Sequence, residues 1–467
     1  MREGTTSDWP SVKLSEVGRI VTGSTPPKAR KEYYGGTFPF VKPGELLHCP
    51  VSESADRLSD AGSEIADVAP RGSVLVSCIG NLGKTGLATR PVAFNQQINA
   101  IVPHNTEHSK WVFYAVQTPD FVSQLSAASS ATTISIVNKG KFSTLEIPFA
   151  PDNEQSRVVA EIEKQFTRLE AGVAALRRVQ ANLKRYRAAV LKAACEGRLV
   201  PTEADLVQAR GGKAKFETGE ALLARILTER RRNWQGRAQY KEPAVPNIRN
   251  IPLVPKGWTW ASVDQVADET MIGLDRGRAQ QSDDAATGVP YIKMNNVTMD
   301  GRVLCGDLIY VPVSREEAMR FAVQDGDILF NTRNSKELVG KVGLVRTPPA
   351  RAIYNNNLMR IKVPADFSSA FLALQMCSRE FRQRMELVKK ATTSVAAVYA
   401  KDLLPLAIAL PPLAEQLRIV AEVDRRMSVI EELEATISAN LQRASRLRQS
   451  VLQRAFVGKL AEATSGF

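Results

Sequence analysis

The sequence predicts an α/β chain: two globular mixed α/β modules separated by two long antiparallel coiled-coil helices, with a pseudo-two-fold internal repeat. Three observations predict it. One long segment recurs in a single register. Both copies carry a heptad stripe. The segments ahead of them alternate short β-rich runs with glycine, proline and asparagine turns.

The repeat comes first because it orders everything else. Glu154-Gln155-Ser156-Arg157-Val158-Val159-Ala160-Glu161 returns 261 positions later as Glu415-Gln416-Leu417-Arg418-Ile419-Val420-Ala421-Glu422. The register holds without a gap through Arg187/Arg448 and Val190/Val451 to Gly197/Gly458 and Leu199/Leu460. Upstream the likeness is looser. Pro39-Phe40-Val41-Lys42 matches Pro290-Tyr291-Ile292-Lys293, and Gly83-Lys84-Thr85-Gly86-Leu87 matches Gly340-Lys341-Val342-Gly343-Leu344. Phe94-Asn95 matches Tyr354-Asn355, and Thr132-Thr133 matches Thr392-Thr393. The offset drifts along this stretch, which places insertions in loops between shared framework pieces.

In the first copy, Ile162, Phe166, Leu169, Val173, Leu176, Gln180, Leu183, Arg187, Val190 and Ala194 alternate by four and three, the a/d spacing of a coiled coil. The second copy gives Val423, Met427, Ile430, Glu434, Ile437, Leu441, Ala444, Arg448, Val451 and Ala455. The polar breaks differ between the stripes, which favours pairing with each other over self-pairing. The plainer alternative is that each helix only caps its own module. Pro151 and Pro411-Pro412 start the helices, since proline fits a first turn and bars helix before it. Gly197 and Gly458 suit the left-handed C-terminal turn. A helix from Glu154 to Leu199 would be roughly 70 Å long at ~1.5 Å per residue, a length suited to holding two modules apart.

The modules read as mixed α/β. Val74–Ile79, Ile98–Val102, Ile328–Phe330 and Leu358–Val363 are β-rich, and helices are expected around Trp111–Ala115 and Phe371–Val388. Between the halves, 201–256 reads as a linker with a basic amphipathic helix over Glu217–Arg232. Arg225, Arg230, Arg231, Arg232, Arg237, Lys241 and Arg249 give it its charge.

Composition bounds the function. The 467 residues suit two to four domains at roughly 100–200 residues each. Lys+Arg 62 against Asp+Glu 49 gives a net charge of +13, which points to a polyanionic partner, nucleic acid first. The first ten residues lack a secretory pattern, and the longest apolar stretch, Leu403–Ala414, is interrupted by three prolines. Cys49, Cys78, Cys195, Cys305 and Cys377 are scattered and never CxxC-spaced, which argues against a disulfide framework or zinc module. A cytoplasmic location is the expectation.

Candidate chemistry falls away on inspection. Gly80-Asn81-Leu82-Gly83-Lys84-Thr85 suggests a phosphate loop, but Cys78 stands where the first glycine belongs. The repeat reads Gly340-Lys341-Val342, without the hydroxyl, so a turn between strands explains the glycines better. No Asn/Asp-Pro-Pro-aromatic loop of an amino-group methyltransferase is present. Glu161, Glu163 and Lys164 lie along the helix as a solvated face rather than a nuclease site. His104 and His108, with His48 or Cys49, make a weak metal reading against a surface loop. Three histidines give no hydrolase triad worth pursuing. The expectation is a non-catalytic chain that holds no cofactor or metal.

The whole pattern resembles the specificity subunit of type I restriction-modification enzymes. The motifs that carry the resemblance are Pro151-Asp152-Asn153-Glu154-Gln155-Ser156-Arg157-Val158-Val159 and Pro411-Pro412-Leu413-Ala414-Glu415-Gln416-Leu417-Arg418-Ile419-Val420. Leu183-Lys184-Arg185-Tyr186-Arg187, Gly197-Arg198-Leu199, the Leu222–Arg230 linker helix and the Trp258–Val266 start of the second module add to it. Asp152-Asn153 departs from the Pro412-Leu413 of the second copy. The resemblance implies target-recognition domains at 1–150 and 257–410, spacer helices at 151–200 and 411–467, and the linker at 201–256. It implies that the chain binds a split site in double-stranded DNA, each domain reading one half. It further implies docking of two methyltransferase subunits, and of restriction subunits where present, with S-adenosylmethionine, ATP and Mg on those partners. The rivals are a stand-alone nucleic-acid-binding adaptor and a fused restriction enzyme; the missing catalytic motifs argue against the second.

Within the modules, DNA contact is expected from Lys/Arg and amide side chains near the shared glycine turns. The candidates are Lys42, Asn81, Lys84, Lys139 and Lys141, then Lys293, Asn295, Arg333, Lys336 and Lys341. The alternative reading of any single one is a solvated surface charge. The coiled-coil seam is assigned to Ile162, Phe166, Leu169, Leu176, Leu183, Val190, Val423, Met427, Ile430, Ile437, Leu441 and Val451.

Overall fold

The computed structural model describes residues 9–130, 134–236, 239–249, 251–392 and 395–459. Thr132-Thr133, Arg237, Thr393 and Leu460, used above, lie outside the described residues. The chain forms two compact units, Met1–Gln180 with Ala435–Phe467, and Ala181–Glu434.

Unit 1 contains a five-stranded sheet in the order Gly18–Thr22, Ile98–Pro103, Val74–Ser77, Thr85–Ala88, Cys49–Val51. A second sheet of four strands centres on Tyr34–Val41 and Val92–Phe94. Ser11–Lys13 pairs antiparallel with Glu146–Pro148, so the module's first and last strands meet. Helices Ser109–Ala115 and Pro119–Ala127 cover the larger sheet, burying Trp111, Phe113 and Phe121 with Val74, Val76 and Ile101.

Unit 2 repeats the plan. Glu269–Ile272, Leu358–Lys362, Ile328–Asn331 and Val342–Leu344 form a four-stranded sheet, and Thr259–Ser262 pairs with Ala407–Leu410 as the closing pair. Where the sequence reads one helix over Phe371–Val388, the structure has two, Ser369–Cys377 and Arg379–Val388. The break is at Ser378, whose hydroxyl accepts from the Phe381 N–H at 3.1 Å and so starts the second helix. The linker helix runs Gly219–Arg232, capped by Thr218, and buries Leu222 and Ile226 in the unit 2 core. Two of its arginines are tied inward, Arg225 to Glu217 and Asp366 and Arg230 to Asp264, while Arg231 and Arg232 are exposed.

Long helix A spans Asp152–Cys195 and long helix B Leu413–Phe456, 44 residues each. In unit 1 the start of helix A (Val158, Val159, Ile162, Phe166) shares a core with the end of helix B (Val451, Leu452, Ala455, Phe456). In unit 2 the end of helix A (Val190, Ala194) shares one with the start of helix B (Ile419, Val423). The helices are therefore antiparallel. Of the seam positions, Ile162, Phe166, Leu183, Val190, Val423, Ile430, Ile437 and Val451 are buried, and Leu169, Leu176, Met427 and Leu441 are half-buried. Burying such a side chain contributes about 1.5–3 kcal/mol. Exposed ion pairs along the helices, such as Lys164–Glu161, contribute about 0–1 kcal/mol each. The stripe, not the charge pattern, sets the pairing.

The repeated Glu-Gln pair has a structural purpose. Trp9 Nε1 donates to Glu154 at 2.8 Å, and Trp258 Nε1 donates to Glu415 at 2.9 Å. Gln155 donates to the Ala150 carbonyl at 2.7 Å and Gln416 to the Pro411 carbonyl at 2.9 Å. Each helix start is thus fastened to both ends of its own module. Gly197 and Gly458 adopt φ +66° and +77°. Past them, the Arg198 N–H bonds the Ala193 carbonyl at 2.8 Å and the Lys459 N–H the Arg454 carbonyl at 3.0 Å, which closes both helices.

Candidate nucleic-acid interface

In unit 1, the turn after Val74–Ser77 uses Gly80 and Gly83 at φ +75° and +80°. The Ser77 hydroxyl donates to the Asn81 carbonyl at 2.6 Å and accepts from the Lys84 N–H at 2.9 Å. The turn is rigid, and the Asn81 side chain is exposed at its tip while Lys84 is half-buried. A second segment lies on it: the Gly80 N–H bonds the Ser135 carbonyl at 2.9 Å, and Ile79 bridges to Ile136. Ile134 and Ile136 are exposed there. The turn carrying Lys42 is adjacent, because the His48 N–H bonds the Thr85 carbonyl at 2.9 Å. Lys42 itself pairs with Asp56, and its N–H bonds Glu45 at 2.8 Å. Burial first, then the nearby Arg448 and Lys84 charges, lower the His48 pKa and favour its neutral form. Lys139 and Lys141 are exposed on a separate short helix, Lys139–Ser143, reached through the 3.1 Å bond from Lys141 to the Ala128 carbonyl.

Unit 2 builds the same place more fully. Gly340 takes φ +81°, and Arg333–Asn334 forms an edge of a three-stranded ribbon with Ala396–Ala397 and Lys390–Ala391. Buried Asn331 donates to the carbonyls of Arg333 and Asn357 at 3.1 and 3.0 Å and accepts from Asn334 at 2.9 Å. That network fixes the loop from which Arg333 and Lys336 reach solvent. The ribbon adds two lysines that the sequence reasoning missed. Lys389 donates to the Lys336 carbonyl at 2.9 Å, and Lys390 lies 5.6 Å from the ring of half-exposed Tyr399. Strands of two residues carry no readable alternation, so only the repeat could have pointed to them, through Thr392-Thr393.

Lys293 opens a turn in which its N–H bonds Asn296 at 2.9 Å and its ammonium bonds Gln281 at 2.8 Å. Asn295 is exposed at that turn. Lys341 differs from the other candidates. It is only 6% exposed, and its ammonium donates to the Met294 carbonyl. Burial lowers its pKa, and it supports the turn from inside instead of offering charge to solvent. The structure thus brings Arg333, Lys336, Lys389 and Lys390 together, and Lys293 with Asn295 and Lys341. Asn81 and Lys84 lie together in unit 1.

Of the other sequence candidates, His108 Nε2 lies 3.0 Å from Asp152, and His48 lies against Thr85 instead. Among the described residues no group of three or more His, Cys, Asp or Glu is placed to hold a metal ion. No helix among them is long and apolar enough to cross a membrane.

Comparisons with known proteins place this geometry in context. The family model for the type I restriction modification DNA specificity domain matches residues 6–175 and 255–443. The EcoKI specificity subunit of Escherichia coli K12 is 22% identical over 370 residues, covering 79% of this chain and 69% of that protein. The HindI specificity subunit of Haemophilus influenzae is 32% identical over 168 residues, 34% of this chain and 36% of that protein. A solved structure described as the basis of complex assembly and conformational transition of the type I R-M system superposes with a TM-score of 0.62. It shares 18% identity over 98% of this chain and 99% of that one, a likeness of fold.

Proposed function

The chain belongs to the type I restriction modification DNA specificity family, and we propose from that membership that it reads a bipartite site in double-stranded DNA, one half per module. It also scaffolds two methyltransferase subunits, and restriction subunits where these exist. One observation carries the reading: both units present a glycine-hinged turn overlaid by a second segment, with basic and amide side chains at its rim. Rigid turns of this kind can hold side chains against base edges, while mobile lysines around them neutralise phosphates. The chain's part is recognition and assembly. S-adenosylmethionine, ATP and Mg belong on the partner subunits in this reading. Lys42, Asn81, Lys84, Lys139, Lys141, Lys293, Asn295, Arg333 and Lys336 are the proposed DNA-facing set, with Lys390 added; Lys389, paired with Glu386 and bonded to the Lys336 carbonyl, supports that loop instead.

The test is to express the chain with its cognate methyltransferase subunit and map methylated adenine across the host DNA. The expected result is methylation at one split sequence with a fixed unspecified gap. A chain that binds DNA but co-purifies with no methyltransferase, and directs no methylation, would instead be a stand-alone adaptor.

A further inference from the structure

Unit 2 contains an open cleft of about 1260 Å³ between the end of helix A, the start of helix B, the helix Ser369–Cys377 and the loop Met299–Arg302. Its floor includes Leu191, Leu374, Cys377, Val420 and Met427, all only half-buried. A partly exposed apolar cleft of this size is the ordinary signature of a binding site. The internal repeat shows what chemistry fits it.

The register between the modules is fixed here by paired caps. Thr118 accepts from the Phe121 N–H, and Ser378 from the Phe381 N–H, 260 positions on. Phe113, Tyr114 and Gln117 of unit 1 therefore correspond to Ala373, Leu374 and Cys377 of unit 2. On the long helices Phe166 corresponds to Met427, and Arg448 to Arg187. In unit 1 the chain fills the place itself. Tyr114 meets Phe113 at 5.1 Å and Phe166 at 5.8 Å, and the Arg448 guanidinium lies 4.0 Å over the Phe166 ring. Arg448 also donates to Gln117 at 3.1 Å.

In unit 2 all of those neighbours are smaller. Among the described residues Arg187 pairs at its edge with Glu434 at 3.2 Å and Asp300 at 3.7 Å, and its buried Nε has no hydrogen-bond partner there. It has an acidic clamp at its rim, and among the described residues no aromatic ring lies on its face. The side chains that occupy the corresponding place in unit 1 include the rings of Phe113, Tyr114 and Phe166, and their unit 2 counterparts are aliphatic or sulfur-bearing.

We propose that this cleft takes an aromatic side chain from one of the two methyltransferase subunits, seated on Arg187 as Phe166 is seated beneath Arg448. The inference rests on the reading that the chain docks those subunits. It adds that the two docking faces are unequal, because unit 1 has already filled its copy. Cation–π contact and burial of the ring both supply the attraction.

The experiment writes the unit 1 residues into unit 2. M427F and L374Y, alone and together, supply the missing rings from the chain itself. Subunit stoichiometry with the cognate methyltransferase is read by native mass spectrometry across a dilution series. The original chain is expected to bind two methyltransferases with two distinct dissociation constants. The double variant should weaken one of them by about ten-fold or more, the scale of losing a buried aromatic anchor, and leave the other unchanged. The thermal midpoint of the isolated variant checks folding, and R187Q provides a second probe that adds no volume and should weaken the same constant. Equal affinities in the original chain, or a double variant and R187Q that both keep the two constants, would overturn the proposal. An original chain that binds no methyltransferase at all would overturn the functional reading instead.

Discussion

The indole of Trp258 donates to the carboxylate of Glu415 at 2.9 Å, joining the first strand of module 2 to the first turn of helix B. Glu415 is 1% exposed and also accepts from the Glu203 N–H at 3.0 Å. Burial raises its pKa above the ordinary carboxylate value, against the hydrogen bonds and the Arg418 charge that lower it. A carboxylate with a raised folded pKa holds its proton more tightly folded than unfolded. Its linked stability is therefore present below the unfolded value near 4.5 and is lost as pH rises through the folded value. E415Q should abolish that part of the pH dependence while leaving the indole an acceptor. Urea unfolding of both proteins between about pH 4 and pH 7 measures it. Parallel curves would show that Glu415 does not titrate in that window.

W258F removes the donor and leaves a buried carboxylate with one partner fewer. The loss expected for a hydrogen bond to a charged group is about 1.5–3 kcal/mol. Denaturant titration of unit 2 signals should show it, and E415Q should lessen the cost of W258F in a double-mutant cycle.

Gly197 sits at φ +66°, and a Cβ there would stand 2.7 Å from Pro255 Cγ and 2.9 Å from Trp258 Cζ2. G197A therefore meets both a left-handed backbone penalty and a clash with the ring that Glu415 anchors. A loss of about 1–3 kcal/mol is expected, from the strained backbone before any repacking. The thermal midpoint is the readout.

The proposed DNA face separates into kinds of contact. K336A and K390A, at exposed ammonium groups, should weaken all sequences alike and lower the salt slope by about 1 each. R333A, on the loop fixed by Asn331, should cost about 1–3 kcal/mol of discrimination at one base position. K341A should instead lower stability, because its ammonium is spent on the Met294 carbonyl. Fluorescence anisotropy against the mapped site, at several salt concentrations, sorts the three outcomes. Unchanged affinity and salt slope after replacing the whole exposed set would dismiss this surface.

Replacing residues 1–150 with the matching module of a relative should change one half of the methylated sequence and keep the other. Methylome sequencing decides it. A change in both halves would mean that the modules do not read independently.

The helices were legible because one long period carries their whole information: stripe, proline start and glycine stop fall in one register. Each sheet strand was legible where three or more apolar residues run together, as in Val74-Leu75-Val76. The Trp9–Glu154 and Trp258–Glu415 bonds were not, since they join residues more than 140 positions apart and no local pattern encodes them. Lys341 misled for a related reason: a lysine after a glycine turn looks exposed until the Met294 turn closes over it. The ribbon at Arg333–Asn334 was hidden by its brevity.

Each module closes on itself. Ser11–Lys13 pairs with Glu146–Pro148, and Thr259–Ser262 with Ala407–Leu410, so the chain enters and leaves each module through one antiparallel pair. The coding segment for a module therefore carries its own clasp. Crossing-over between two genes within the helix-coding repeats would transfer an intact reader, clasp included, onto an unchanged helical frame. New combinations of modules can then arise by reshuffling within the helix-coding repeats.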